Sequence, residues 1–215
     1  MRTLLMLSAA LLLAAPAVAA QTSPFSLEVR GRAAFPTGDF GEEEDGIGVK
    51  TGWGGTVEGL YQATPLLGVY AGYGYTRFPT DLGELEELLD DASIDITDAG
   101  FDAGARITLP VLNGGAFVRG GLVYHRAAVD LSEELQEFFE AVEPAFNEDD
   151  LESGWSLGYQ LGAGALVPLG QRLSASVGAA YTRYEPEFED GSTTEVSSDG
   201  ALSYASVEVG LQIRL

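Results

Sequence analysis

Hydrophobic and polar residues alternate in eight stretches of this chain, and the alternation is cleanest at its end. Over residues 205–215, Ala205, Val207, Val209, Leu211, Ile213 and Leu215 fall on one side of a period-two ribbon. Ser206, Glu208, Gly210, Gln212 and Arg214 fall on the other. One wholly apolar face and one polar face suit a strand with lipid on one side and a polar lumen on the other. Such a strand pairs with both the penultimate strand and the first, and so closes the sheet.

The other seven stretches repeat the pattern. Residues 25–35 turn Phe25, Leu27, Val29, Ala33 and Phe35 to one side, and residues 49–63 turn Val49, Trp53, Val57 and Tyr61. Residues 67–77, 99–109 and 116–126 follow, then 155–167 and 173–183, each with an apolar face. Each is about 11 residues or slightly more, the length a tilted strand needs to cross a bilayer; strands of soluble proteins are usually about 5–6.

The connections alternate too. Residues 64–66, 110–115 and 168–172 are short and carry Pro or Gly, which predicts tight turns. Residues 38–48, 79–98, 128–153 and 185–200 are long, and hold 5, 8, 10 and 6 carboxylates, 29 of the 33 in the chain, with no Lys or Arg. The net charge of -22 therefore belongs to one rim. In the second loop Asp81 and Glu84 precede Leu85, Leu88 and Leu89; in the third, Asp130 and Glu133 precede Leu135, Phe138, Phe139 and Val142. A capping Asp, a Glu three residues on and apolar residues at helical spacing predict two short amphipathic helices above the barrel mouth. Their apolar faces either pack on each other and on the rim or form a lid or partner-binding groove.

Composition fixes the address. Arg2, the apolar run 4–13 and the small residues Ala17, Val18 and Ala19 predict a signal peptide over residues 1–20, leaving one β-barrel domain over residues 21–215. The chain has no Cys, which excludes disulfides, thiolate catalysis, cysteine zinc sites and a lipoprotein anchor. After residue 20 no run reaches the ~18 apolar residues of a membrane helix. A 46% hydrophobic chain of this kind is a membrane barrel or a water-soluble β-protein.

Seven strands carry an aromatic at the loop end of the lipid face: Phe35, Trp53, Tyr75, Phe101, Tyr124, Trp155 and Tyr181. This is the interfacial girdle a membrane barrel requires. Arg77, Arg126 and Arg183 each lie two residues beyond one of those tyrosines. A guanidinium near the interface costs only ~0–1 kcal/mol and pairs bidentately with phosphate. These arginines are candidates to hold lipopolysaccharide phosphates, the competing reading being pairs with the acidic loops or snorkelling to water. Opposite faces gather Glu28, Arg30, Arg32, Lys50, Glu58, Asp102, Arg106, Arg119, His125, Glu208 and Arg214. An eight-stranded barrel is just wide enough to be filled by such side chains; a paired network would plug it, whereas inward glycines such as Gly72, Gly74, Gly158, Gly162 and Gly164 leave room for a narrow passage. His125 is the only histidine, and no Ser or Asp is fixed beside it by local spacing, so no catalytic residue is assigned. The acidic runs 42–45 and 148–150 offer oxygen ligands to calcium or magnesium but lack EF-hand spacing, so no metal site or cofactor is assigned. The acidic rim repels nucleic acid.

These residues resemble the small outer-membrane β-barrel family of Gram-negative bacteria, the porin-like group that includes the OmpX, OmpW and opacity-type proteins. The resemblance rests on Phe35, Pro36, Thr37, Gly38, Asp39 and Phe40 after the first strand, on the run from Gly72 through Tyr73, Gly74, Tyr75, Thr76 and Arg77 to Phe78, and on the closing alternation. It implies an all-β, eight-stranded antiparallel transmembrane barrel whose partners are outer-membrane lipid and lipopolysaccharide, with the final strand read by the barrel-assembly machinery. Family members usually end in Phe, and this chain ends in Leu215. The resemblance implies a structural and surface-interaction role, with a surface partner or cations at the acidic loops. The alternatives are a narrow pore lined by Arg30, Arg32, Arg106 and Arg119, or a soluble lipocalin-like barrel that would expose its girdle to water.

Overall fold

The computed structural model describes residues 23–41, 48–81, 93–111, 113–132, 135, 151–187 and 200–215. The signal peptide expected over residues 1–20, the acidic runs 42–45 and 148–150, and most of the two expected helices lie outside them. Among the described residues are nine strands: β1 (Phe25–Pro36), β2 (Gly48–Val49), β3 (Gly52–Gln62), β4 (Leu67–Asp81), β5 (Ile94–Val111), β6 (Gly114–Leu131), β7 (Ser156–Pro168), β8 (Leu173–Tyr184) and β9 (Leu202–Arg214). All but β2 form one antiparallel sheet in which each strand pairs with its neighbours in sequence. Leu27 of β1 faces Gly59 of β3 on one side and Ile213 of β9 on the other, so β9 closes an eight-stranded barrel against β1 and β8. No described helix is long and apolar enough to cross a membrane.

Alternation decides which way each side chain points. Along β1 exposed and buried residues strictly alternate, with Phe25, Leu27 and Val29 outside and Ser26, Glu28 and Arg30 inside. On β9 Val207, Val209, Leu211 and Ile213 are likewise exposed. The inside is polar and the outside apolar, the reverse of a soluble barrel.

The structure departs from the sequence reading at the loop end. β4, β5 and β6 run beyond the expected boundaries: Pro79 pairs with Asp95 and Ile94 with Leu131. Ile94, Ile96 and Val129 continue the ladder past the girdle, so Asp81 and Asp130, expected as helix caps, stand at strand ends. The strand expected over residues 49–63 is broken at Lys50 and Thr51, and β2 pairs with the tip of β4. That break reverses the parity before β3. Val49, expected on the lipid face, packs on the interior cluster, and Lys50, expected in the lumen, is exposed.

The turn end is tight. Val111 pairs with Gly114, leaving a two-residue turn. At the β3–β4 turn Thr64 Oγ1 accepts from the amides of Leu66 and Leu67 at 3.3 and 3.0 Å, and Thr64 N donates to Leu67 O.

Candidate functional site

The lumen is built in layers. In the middle, register places like charges opposite one another: Glu28 faces Glu58 across β1 and β3, and Arg106 faces Arg119 across β5 and β6. Within either hairpin these pairs repel. Barrel closure sets them against each other across the lumen. Arg106 Nη1 donates to Glu28 Oε2 at 2.6 Å, and Arg119 Nη1 donates to Glu58 Oε1 at 2.9 Å. Arg119 Nη2 also reaches Glu208 Oε2 at 3.1 Å, Arg30 pairs with Glu58 and Glu208, and Arg32 donates to Thr56. All of these charged groups are buried.

Above them lies a layer centred on Asp98. His125 of β6 sits opposite Gly100 of β5, between Asp98 and Asp102, which lie four residues apart on the same strand face. Its Nδ1 is 2.7 Å from Asp98 Oδ1 and its Nε2 is 3.1 Å from Asp102 Oδ1. An imidazole with a carboxylate at each nitrogen donates from both, which only the imidazolium does. Neither nitrogen is then open to take a proton from a hydroxyl, and Ser156, His125's neighbour across β7, makes no hydrogen bond through its Oγ. Among the described residues the interior thus pairs the carboxylates of Glu28, Glu58, Asp98, Asp102 and Glu208 with the guanidiniums of Arg30, Arg32, Arg106 and Arg119 and the His125 imidazolium.

Asp98 also joins the charged layer to an apolar cap. Tyr184 Oη donates to its Oδ1 at 3.0 Å and Tyr204 Oη to its Oδ2 at 2.8 Å. Both rings belong to a buried cluster with Ala34, Phe78, Val123, Ala127 and Leu202, on which Phe40, Val49 and Ile96 pack. Phe78 lies 5.3 Å from Tyr204 and 5.2 Å from Phe40 between ring centres. This cluster fills the described interior at the loop end.

Inward glycines do not hold a passage open. A Cβ on Gly100 would lie 2.4 Å from His125 Cδ2, one on Gly72 2.6 Å from Glu58 Cγ, and one on Gly164 2.6 Å from Phe117 Cζ. Their space is taken by large side chains from the next strand.

Nine of the eleven residues read from sequence as lumenal are therefore buried together: Glu28, Arg30, Arg32, Glu58, Asp102, Arg106, Arg119, His125 and Glu208. Lys50 is exposed beside β2, and Arg214 is exposed at the turn-end mouth, opposite Ser26 of β1. Asp98, Tyr184 and Tyr204 were missed. Asp98 was counted with a loop, although its spacing to Asp102 puts both on one strand face.

Outside, the aromatics read from sequence as a girdle lie on the outer surface of the barrel. Phe35, Trp53, Tyr75, Phe101, Tyr124 and Trp155 are all exposed, with Tyr181 half-buried. Trp155 stacks with Phe101 at 6.0 Å and with Tyr124 at 5.2 Å, and the Arg126 guanidinium lies 5.7 Å from its ring centre. Phe25 and Tyr61 make a second aromatic contact at the turn end. Of the three arginines, Arg77 pairs with Asp95, Arg126 with Glu152 at 2.5 Å, and Arg183 lies 3.9 Å from Glu185. Each remains nearly half exposed.

A closed antiparallel barrel with an apolar, aromatic-ringed outside and a charged, self-paired inside is a transmembrane β-barrel. The family model described as "Outer membrane protein beta-barrel domain" matches residues 5–214, and the chain belongs to that family. It is an outer-membrane protein, and the soluble lipocalin-like alternative falls. Among solved structures it is similar to surface protein A of Neisseria, with 13% identity, 90% of this chain and 99% of that chain covered, and a TM-score of 0.57. It is also similar to a major outer membrane protein of Thermus thermophilus, at 16% identity, 89% and 99% coverage and a TM-score of 0.54. A third is the attachment invasion locus protein Ail of Yersinia pestis, solved with the heparin analogue sucrose octasulfate, at 14% identity, 89% and 97% coverage and a TM-score of 0.53. These likenesses establish the fold. Among curated proteins none matches the chain.

Proposed function

We propose that the chain is a sealed, non-enzymatic anchor that holds an acidic platform at the outer surface of the outer membrane. The observation that supports this reading is the filled lumen, with a paired charge layer and an apolar cap between the loop end and the turn end. Apart from the buried Asp98, residues 38–48, 79–98, 128–153 and 185–200 carry 28 carboxylates and no Lys or Arg, so the platform suits a cationic partner, a polybasic protein surface or divalent cations. A sulfated ligand such as the one bound to Ail would be repelled here. A variant with the acids of residues 42–45, 84–91, 133–150 and 189–199 changed to their amides should insert as before but bind several-fold less polylysine on intact cells. Equal binding by both forms counts against the platform.

Around the platform, we propose that Arg77, Arg126 and Arg183 hold lipopolysaccharide phosphates. Their partial exposure beside the aromatic ring supports this, with Trp155 under Arg126 as a stacking floor. Asp95, Glu152 and Glu185 then compete for the same guanidiniums, or share them through bridging cations. Changing all three arginines to Gln should leave folding intact and lower the lipopolysaccharide retained on purification; unchanged retention removes the assignment. The closing strand β9, with its unbroken apolar face, is in this reading the segment presented to the assembly machinery.

A further inference from the structure

The turn end of the lumen is unlike the rest of it. Beneath the charge layer the barrel opens into a cavity of about 610 Å³ whose lining includes Ser26, Gln62, Arg106, Ser174, Gln212 and Arg214. No Asp or Glu is among the lining residues. The asymmetry runs through the sequence: 29 acids lie in residues 38–48, 79–98, 128–153 and 185–200 at the loop end, and the other four are Glu28, Glu58, Asp102 and Glu208, all in the layers above. The charged side chains at the turn end are Arg106, Arg172 and Arg214.

Arg106 forms part of the inner wall of this cavity. It is 3% exposed, its two terminal nitrogens are fixed by Glu28 Oε2 at 2.6 Å and Gln212 Oε1 at 3.1 Å, and its plane lies over Phe117 at 5.1 Å. Its Nε makes no hydrogen bond within the chain. With its Nη atoms engaged and its Nε buried, this fixed, desolvated guanidinium acts on the cavity as a positive charge set in the inner wall, its ordering cost already met by the fold. Arg214, exposed at the mouth, supplies a second positive charge, and the hydroxyls and amides of Ser26, Ser174, Gln62 and Gln212 supply neutral donors. Low-dielectric walls focus this field on the cavity. The cap closes the way from the cell surface, so the cavity is entered from the short-turn side, which faces the periplasm in barrels of this kind.

We propose that this vestibule binds a small oxyanion, a phosphate or carboxylate group, from the periplasm. The test is isothermal titration of the refolded mature chain in non-ionic micelles with inorganic phosphate and, separately, with succinate, at matched ionic strength. Saturable one-to-one binding of at least one of them is expected, weakened tenfold or more by Arg214→Gln and unchanged by Arg183→Gln at the opposite rim. Which titration saturates tells the phosphate from the carboxylate class. Arg214 is exposed, so its variant keeps the fold, and heat-dependent gel mobility verifies this. Arg106→Gln should abolish binding where it folds. The absence of saturable binding of both anions overturns the proposal, as does binding that Arg214→Gln leaves unchanged or that Arg183→Gln weakens equally.

Discussion

Arg119 shows how single residues divide the work in this barrel. It bonds Glu58 and Glu208 and covers the Tyr70 ring at 5.6 Å, joining three strands that are not its neighbours in the sheet. A buried ion pair adds little over a well-packed apolar pair, but removing one partner strands the other charge and costs about 3–5 kcal/mol. Arg119→Met should therefore destabilise the barrel by roughly that amount, read from urea unfolding in detergent, and Arg119→Met with Glu208→Gln should recover part of it. A loss within about 0.5 kcal/mol would place Arg119 outside the network, where surface substitutions fall. Most of this layer was legible in the sequence, because period-two alternation assigns Glu28, Arg30, Glu58, Arg106 and Arg119 to one face. Their partners were not legible, since Arg106 meets Glu28 only across the closed lumen.

At the scale of elements, the alternation located all eight barrel strands and failed at their loop ends. Acid-rich composition marks residues 79–98 as loop, yet Ile94 and Ile96 keep the strand period and Asp98 points inward, where two tyrosine hydroxyls and His125 neutralise it. Charge was read as exposure, and the burial of a carboxylate depends on donors from other strands. The tight β5–β6 turn did hold the needed information. Pairing Pro110 with Gly115 fixes Gly100 opposite His125, and Asp98 and Asp102 then flank the ring. The break at Lys50 and Thr51 carries no comparable signal, because Gly52, Gly54 and Gly55 blur the alternation on which parity rests. Glycine proved the most misleading residue: in sequence it reads as space, and in the barrel that space belongs to the Glu58, His125 and Phe117 side chains.

Over the whole molecule the charge is sorted along the barrel axis. The acid-rich segments all belong to the loop end, balanced pairs fill the middle, and Arg172 and Arg214 stand at the turn end. The apolar outer surface fixes the middle in the bilayer, so the two ends meet different compartments and present opposite signs. In the proposed reading the filled middle keeps the ends separate. Its most direct test is single-channel recording of the refolded mature chain in a planar bilayer, with folding verified by heat-dependent gel mobility. A silent membrane is the predicted result. Reproducible conductance steps, with an ion selectivity that shifts in Arg106→Gln or Arg119→Gln, would show that the lumen conducts and would contradict the sealed barrel.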